Sequence, residues 1–113
     1  MADLTFFRHH SNERDQAKPI IIRYGAKGYG MYWYILESLY FSFNRDFEAG
    51  KSFYDRASLE MGVSRRIVRK VLEDMERFGV VTRTGSIISS GRVEREVAEM
   101  LDARKRRQQR SVR

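Results

Sequence analysis

Residues 58–79 read SLEMGVSRRIVRKVLEDMERFG, and the spacing of their small and apolar positions is that of two helices crossing steeply through a short turn. Ser58 is small enough to let the first helix approach the second, and Gly62 can adopt the positive φ that the turn requires. The positions that face inward beneath the turn and from the second helix are Val63, Val68 and Val71. The stretch therefore predicts a helix-turn-helix.

Capping residues give the bounds of the two helices. Asp55 can cap a first helix of about residues 56–61, because its carboxylate can accept hydrogen bonds from the exposed amides of the first turn. Ser64 caps a longer helix, residues 65–78, which closes at Gly79. The buried face of this second helix is predicted to comprise Ile67, Val68, Val71, Met75 and Phe78.

Two β-favouring runs, residues 80–83 and 87–89, follow the second helix and are joined by a turn that contains Gly85. A β-hairpin after a helix-turn-helix is the wing of a winged helix-turn-helix. A last helix is predicted from about Gly91. The expected fold class is mainly α with a small β-hairpin, and a single winged-helix domain would span residues 1–103.

The residues before the motif predict two more helices and a short strand. The first helix runs from about Pro19 to Tyr24, since proline is well tolerated at a first helical position. A glycine-rich turn at residues 25–30 opens a second helix that ends near Asn44. Residues 52–54 favour a short strand. The apolar positions of the second helix follow helical spacing and are Tyr29, Tyr32, Trp33, Leu36, Leu39, Tyr40 and Phe43.

The chain has 113 residues, of which 22 are basic and 15 acidic, and it has no cysteine. This length fits one small domain, and the lack of cysteine excludes disulfides and cysteine-based zinc or iron–sulfur sites. His9 and His10 are adjacent and cannot share one helix face, so we expect no metal and no other cofactor. The sequence has neither an apolar run of roughly 18 residues nor the pattern of a signal peptide. We therefore expect a cytoplasmic protein without a membrane partner.

The net charge of +7 is concentrated in a basic tail, residues 104–113, which contributes +6 and leaves +1 for the rest of the chain. One interpretation is that the tail neutralises DNA phosphates. The other is a frayed helix end whose cations offset the helix dipole, or the start of a linker. The candidate DNA-binding residues of the tail are Arg104, Lys105, Arg106 and Arg107.

The second helix of the motif has a cationic first half and a largely acidic second half. A cationic N-terminal half suits the major groove of DNA, where Arg66 and Arg69 are candidates for base contacts. Arg65 and Lys70 are candidates for phosphate contacts. The further candidate DNA-binding residues are Ser64, at the start of the helix, and Arg83, in the wing.

The alternative to DNA contact is pairing within this helix. Arg69 and Lys70 are each followed, four residues on, by an acidic side chain, namely Glu73 and Asp74. Pairs at this spacing are common and contribute little to stability. The same charges therefore also fit an ordinary solvated helix face.

Residues 6–12, FFRHHSN, and residues 25–40, GAKGYGMYWYILESLY, resemble the N-terminal winged-helix domain of replication-initiator and replisome-organiser proteins of phages and mobile elements. That group is in turn similar to the primosomal DnaD proteins. The resemblance extends over residues 6–101, and its most specific part is residues 25–40. It implies DNA binding or replisome assembly, with a separate C-terminal region in longer members, for which the basic tail would begin the linker.

Two functions are compatible with these features. The first is a non-enzymatic module that binds double-stranded DNA, in replication initiation or replisome assembly. The second is a protein-interaction winged helix, with only non-specific DNA contact, that docks on replisome proteins or forms a homo-oligomer through its last helix. The apolar stripe of that helix consists of Val93, Val97, Met100 and Leu101. The sequence contains no catalytic constellation, so we do not expect an enzyme.

Overall fold

The computed structural model describes the backbone of residues 4–111 and the side chains of residues 17–109. Its helices and strands are α1 (Leu4–Phe41), β1 (Asp46–Glu48), α2 (Lys51–Met61), α3 (Arg65–Arg77), β2 (Thr82–Thr84), β3 (Ile87–Ser89) and α4 (Gly91–Ser111). The fold is mainly α, with a small antiparallel sheet that contains the predicted β-hairpin, β2 and β3. Two helices joined by a tight turn and followed by this hairpin form the predicted winged helix-turn-helix.

The turn between α2 and α3 agrees with the prediction at each of its special positions. Gly62 ends α2 with a left-handed backbone, φ 64° and ψ 33°. The hydroxyl of Ser58 donates to the carbonyl oxygen of Val63 and so ties the end of α2 to the turn. Ser64 caps α3, because its hydroxyl accepts from the backbone N–H of Ile67 over 3.2 Å. These contacts fix the direction in which α3 leaves the turn.

The sheet has three strands in the order β1-β3-β2, and β3 runs antiparallel to both neighbours. Phe47 of β1 and Arg83 of β2 lie opposite Ile88, the fully buried central residue of β3. The ring of Phe47 stacks on that of Phe53 in α2, with centroids 4.3 Å apart. The sheet, and with it the wing, is thereby held against the helices.

The strand before the motif is not where the sequence predicted it. Residues 52–54, expected to be a strand, lie in α2, and the strand is Asp46–Glu48 instead. Asp55, expected to cap a helix beginning at the next residue, lies inside α2, whose N-cap is Gly50. A strand of three residues carries little periodicity of its own, so its pairing with β3 determines its position.

The N-terminal part of the chain is one long element with a kink, where the sequence predicted two helices separated by a turn. α1 changes direction at Gly25, whose φ of 68° and ψ of −151° are accessible to glycine and strained for other residues. Gly28 and Gly30 are helical, so the turn predicted over residues 25–30 is reduced to one residue. The parts before and after Gly25 are called here the first and second limbs of α1.

Gly28 lies where the two limbs approach each other. A Cβ atom at this position would lie 2.4 Å from Cβ of Tyr24 and 3.2 Å from the carbonyl oxygen of Ile20. The first distance is far below van der Waals contact, so no side chain fits here without separating the limbs. The glycines of this stretch therefore reflect close packing as well as a change of direction.

The first limb begins at Leu4, well before the predicted start at Pro19. A proline inside a helix removes one backbone hydrogen bond and crowds the preceding turn. Ala17 and Ile20, on either side of Pro19, are fully buried in the core. Because tertiary packing supplies most of the stability of helices in proteins, this burial maintains the helix through the proline.

The core lies where α1, α2, α3 and the sheet meet. Its largest fully buried side chains are Ile20, Met31, Tyr32, Ile35, Leu39, Val68, Val71, Leu72, Met75, Ile88 and Val93. The inward positions predicted for Val68, Val71 and Met75 are thus confirmed. Two aromatics predicted to face inward are instead exposed, Phe43 by 95% and Phe78 by 45%. Both lie beyond the last turn of their helix, where the helical period no longer determines the direction of a side chain.

α4 begins at Gly91, as predicted, and continues to Ser111. Glu96 joins it to the second limb of α1, since it accepts hydrogen bonds from the Tyr40 hydroxyl and from Nε of Arg92, the latter over 3.1 Å. As far as the structure describes the chain, none of its helices combines the length and apolar character that a membrane crossing requires.

Candidate nucleic-acid interface

α3 exposes one side along its whole length. Its inner side is fixed in the core by Val68, Val71 and Leu72, so at about 100° per residue the opposite side faces solvent. The exposed charged residues of this side are Arg65, Arg66, Arg69, Lys70, Glu73 and Arg77. The cations of the first two turns are therefore at the surface, and α2 and α1 pack against α3 on either side of them.

Arg65 and Arg69 lie on the side of α3 that faces α2. Nη1 of Arg65 is 3.0 Å from Oδ1 of Asp55, and the guanidinium carbon of Arg69 lies 5.3 Å from the ring centroid of Tyr54. Arg69 therefore makes a cation–π contact, and the alternative pairing with Glu73 does not form. This contact positions Arg69, and no hydrogen bond or ion pair with another described side chain occupies its N–H donors.

Arg83 of the wing is engaged by α3 itself. Its Nε and Nη2 donate to the two carboxylate oxygens of Glu76 over 2.8 and 3.1 Å. These hydrogen bonds raise the pKa of Arg83 above its ordinary value and join the wing to the C-terminal half of α3. A DNA contact by Arg83 stays a prediction, and it would compete with Glu76 for the same donors.

On the other side of α3, an open cleft separates its first turns from α1. The cleft has a volume of about 580 Å³ and is lined by Arg23, Tyr24, Ser64, Arg66, Ile67 and Lys70. Among the residues with described side chains, neither Arg66 nor Lys70 has an ion-pair partner. The cleft thus brings three predicted site residues together with Arg23 and Tyr24, which were not among the residues predicted for the site.

Asp74 explains the position of Arg23. The sequence predicts Asp74 among the exposed acidic charges of α3, but in the structure this residue is only 3% exposed. Nη1 of Arg23 donates to both carboxylate oxygens of Asp74 over 3.2 and 3.1 Å. The alternative pairing of Lys70 with Asp74 is therefore wrong, because a buried carboxylate needs a close partner and Arg23 supplies it. A hydrogen bond with Tyr24 and the charge of Asp74 raise the pKa of Arg23.

α4 carries an apolar stripe in its first half and a run of basic residues in its second half. Val93 is buried and Val97 half-buried, whereas Met100 and Leu101 of the same stripe are 43% and 49% exposed. The exposed cations that follow on helical backbone are Arg104, Lys105, Arg106 and Arg107. The side chains of Arg110 and Arg113 lie outside the described residues. The predicted basic tail is thus a helical continuation of α4 as far as Ser111.

The two histidines, His9 and His10, lie outside the residues whose side chains the structure describes. Within the described range, no group of three histidine, aspartate or glutamate side chains is arranged to hold a metal ion. The described surface around α3 offers a ligand positive charge, one guanidinium placed over an aromatic ring and an open cleft.

A family model described as Lin1244/Lin1753-like, N-terminal, matches residues 6–92. The match covers nearly all of α1, both helices of the motif and the hairpin, and it ends at the start of α4. No curated protein and no solved structure matches the chain.

Proposed function

This chain belongs to the Lin1244/Lin1753-like N-terminal family, and we propose that it is a non-enzymatic module that binds double-stranded DNA. The observation that carries the proposal is the outer face of α3, whose first two turns present four exposed cations and no acidic side chain. They are Arg65, Arg66, Arg69 and Lys70. In a helix-turn-helix, the N-terminal residues of the second helix contact base edges in the major groove. This is the end of α3 that would meet DNA.

The surroundings of the four cations suggest a division of roles. Arg69 is held on the ring of Tyr54 with its in-plane donors available, which suits a bidentate contact with the O6 and N7 of guanine. Arg66 lies on the same outer face, where it also lines the cleft, and is the second candidate for a base contact. Arg65, beside Asp55, and Lys70, beside the cleft, suit phosphates.

We further propose that the module acts in replication initiation or replisome assembly of a phage or mobile element. The support is the resemblance of residues 25–40 to initiator and replisome-organiser domains. In this fold these residues form the second limb of α1, which supplies the buried Met31, Tyr32, Ile35 and Leu39. The resemblance therefore concerns the scaffold behind α3, whereas the exposed cations of α3 support DNA binding and do not bear on the replication role.

Alanine at Arg66 or Arg69 is expected to weaken binding to a preferred duplex by roughly 1–3 kcal/mol and to a random duplex much less. The reason is that a bidentate guanine contact exists only where the guanine is present. The preferred site is first obtained by selection from random DNA, and affinities are then measured by fluorescence anisotropy on both duplexes. Arg95→Ala, an exposed arginine on α4, is the matched control. Failure to select any site, or equal losses on both duplexes, would contradict base reading by α3.

A second candidate function is self-association through the exposed part of the α4 stripe. Met100 and Leu101 are about half exposed at helical spacing from Val97, which is itself only partly covered. A second copy of α4 would bury such a stripe against the same stripe, since an isologous contact pairs one patch with itself. In this function, DNA contact would be limited to the non-specific charge of the tail.

Leu101→Glu tests the second candidate. If α4 pairs with another copy, the wild type should sediment partly as a dimer at high protein concentration, and the variant should be monomeric, because a carboxylate would be buried without a partner. Arg95→Glu places a carboxylate at an exposed position on the opposite side of α4 and should leave the dimer intact. A wild type that is strictly monomeric excludes this function.

A further inference from the structure

The cleft between α1 and α3 differs from the rest of the cationic surface in being built by two elements. Arg23 belongs to the first limb of α1, whereas Arg66 and Lys70 belong to α3, and all three line one cavity of about 580 Å³. No acidic side chain is among the described residues that line it. Arg66 and Lys70 have no ion-pair partner among the described side chains, and Arg23 shares its charge with Asp74, so the cavity keeps a net positive potential that a phosphate would neutralise.

We propose that this cleft is a phosphate-binding site, in which Arg23 and Lys70 hold a backbone phosphodiester of the duplex beside the base-reading end of α3. The inference rests on the proposed DNA-binding function for the source of the phosphate. It adds Arg23, a residue outside the helix-turn-helix, to the contacts that set the register of α3 on DNA, since phosphate contacts position a protein on the duplex.

Arg23 is held in place before any ligand arrives. Asp74, whose side chain is almost fully buried, accepts two hydrogen bonds from Nη1 of Arg23, while the Arg23 side chain as a whole is 52% exposed. Asp74 accepts only from Nη1 of Arg23, and Tyr24 is a second hydrogen-bond partner of this guanidinium, so some of its five N–H groups are left for a phosphate. A guanidinium fixed in this way loses little conformational entropy on binding. Asp74 is thus a positioning residue for Arg23.

The kink of α1 and the cap of α3 complete the cleft. Gly25 turns the chain shortly after Arg23 and Tyr24, which places both beside the first turn of α3. Ser64 satisfies the amide of Ile67, while the amides of Arg65 and Arg66 have no partner within the helix ladder. These N–H groups and the helix dipole add to the attraction that the side chains of the cleft exert on an anion.

The test compares the salt dependence of duplex binding among variants. Lys70→Gln is expected to lower the slope of log affinity against log salt by about 0.9, the contribution of one neutralised phosphate. Arg23→Gln combined with Asp74→Asn should lower it similarly, because this double change removes the cation of Arg23 without leaving the buried carboxylate of Asp74 lacking its close partner. Arg95→Gln and Asp74→Asn alone are the controls. Arg95→Gln should leave the slope unchanged. Asp74→Asn retains the cation of Arg23, so it should lower the slope less than the double variant does.

A duplex with single methylphosphonate substitutions identifies the phosphate. At one position, loss of the phosphate charge should weaken binding of the wild type and have much less effect on Lys70→Gln, since two changes to one contact are not additive. If Arg69→Ala weakens duplex binding but Lys70→Gln and the double variant behave like Arg95→Gln, the cleft proposal is overturned and the DNA-binding function stands.

A different result separates failure of the proposed function from failure of the cleft. If the wild type binds no duplex, the DNA-binding function is wrong, and inorganic pyrophosphate then serves as the probe. Shifts of the Tyr24 and Ser64 amide resonances on titration, present in the wild type and lost in Lys70→Gln, would support a phosphate site for a small ligand. Resonances that do not move, or that move equally in both proteins, would overturn the site.

Discussion

Replacement of Gly28 with alanine lowers the free energy of unfolding by about 2 kcal/mol or more, in our expectation, which is a large effect for one methyl group. The added Cβ would lie 2.4 Å from Cβ of Tyr24 and 3.2 Å from the carbonyl oxygen of Ile20. One neighbour is a backbone atom and the other is the first atom of its side chain, so neither can move without the helix. The limbs of α1 would separate and disturb the buried Met31 and Tyr32. Urea denaturation followed by circular dichroism measures the loss.

Gly30→Ala is the matched control, because it changes another helical glycine on the same limb. Its Cβ would meet Cε of Met61 at 3.2 Å, and this atom is the flexible end of a long side chain. Since alanine is more favourable than glycine inside a helix by roughly 0.5–1 kcal/mol, this variant should match or exceed the wild type in stability. Similar stabilities for the two variants would show that the limbs do not approach closely at Gly28.

The helix-turn-helix could be predicted from the sequence because its signals act over a few residues. The cap bond from Ile67 to Ser64 and the left-handed backbone at Gly62 need no information from the rest of the chain. The glycines of α1 are different, because a glycine marks either a change of direction or a close approach. Gly25 is the first case and Gly28 the second, and only the folded positions of its neighbours distinguish them.

The candidate site could be predicted on α3 but not on α1. The helical period is enough to identify Arg66 and Lys70 as outward-facing, whereas the position of Arg23 depends on the kink and on a partner far away in sequence. The helical period also did not predict the burial of Asp74, which lies at the edge of the inward stripe of α3. Burial of a carboxylate is unfavourable without a paired cation. Its location therefore follows from the packing of α1 on α3, which local rules do not contain.

Deletion of residues 104–113 is expected to cause the largest loss of duplex affinity that we predict. The segment carries +6 without an acidic residue, and the described part of it is exposed. Each phosphate that it neutralises contributes up to about 0.9 to the slope of log affinity against log salt, so the slope should fall by up to about 5. Because every duplex has the same phosphates, the loss should be equal on preferred and random sequences.

A second variant keeps the whole chain and replaces the exposed tail cations with glutamine. It separates the effect of the charge on binding from the effect of a shorter α4. These cations are Arg104, Lys105, Arg106 and Arg107. Glutamine is a good helix former, so α4 should persist while most of the salt dependence disappears. An unchanged salt slope would place the phosphate contacts elsewhere on the protein.

Comparison of the tail deletion with Arg66→Ala and Arg69→Ala distinguishes the two candidate functions. Base contacts depend on the DNA sequence, and phosphate contacts do not. In a module that reads sequence, the α3 variants should therefore lose the preference for the selected duplex. The deletion should lower the affinity for every duplex and keep this preference. If the deletion abolishes binding and both arginine variants bind as the wild type does, the charge of the tail accounts for all of the affinity. α3 would then not read DNA, and the domain would be an interaction module with a non-specific basic tail, whose exposed α4 stripe becomes the surface to test.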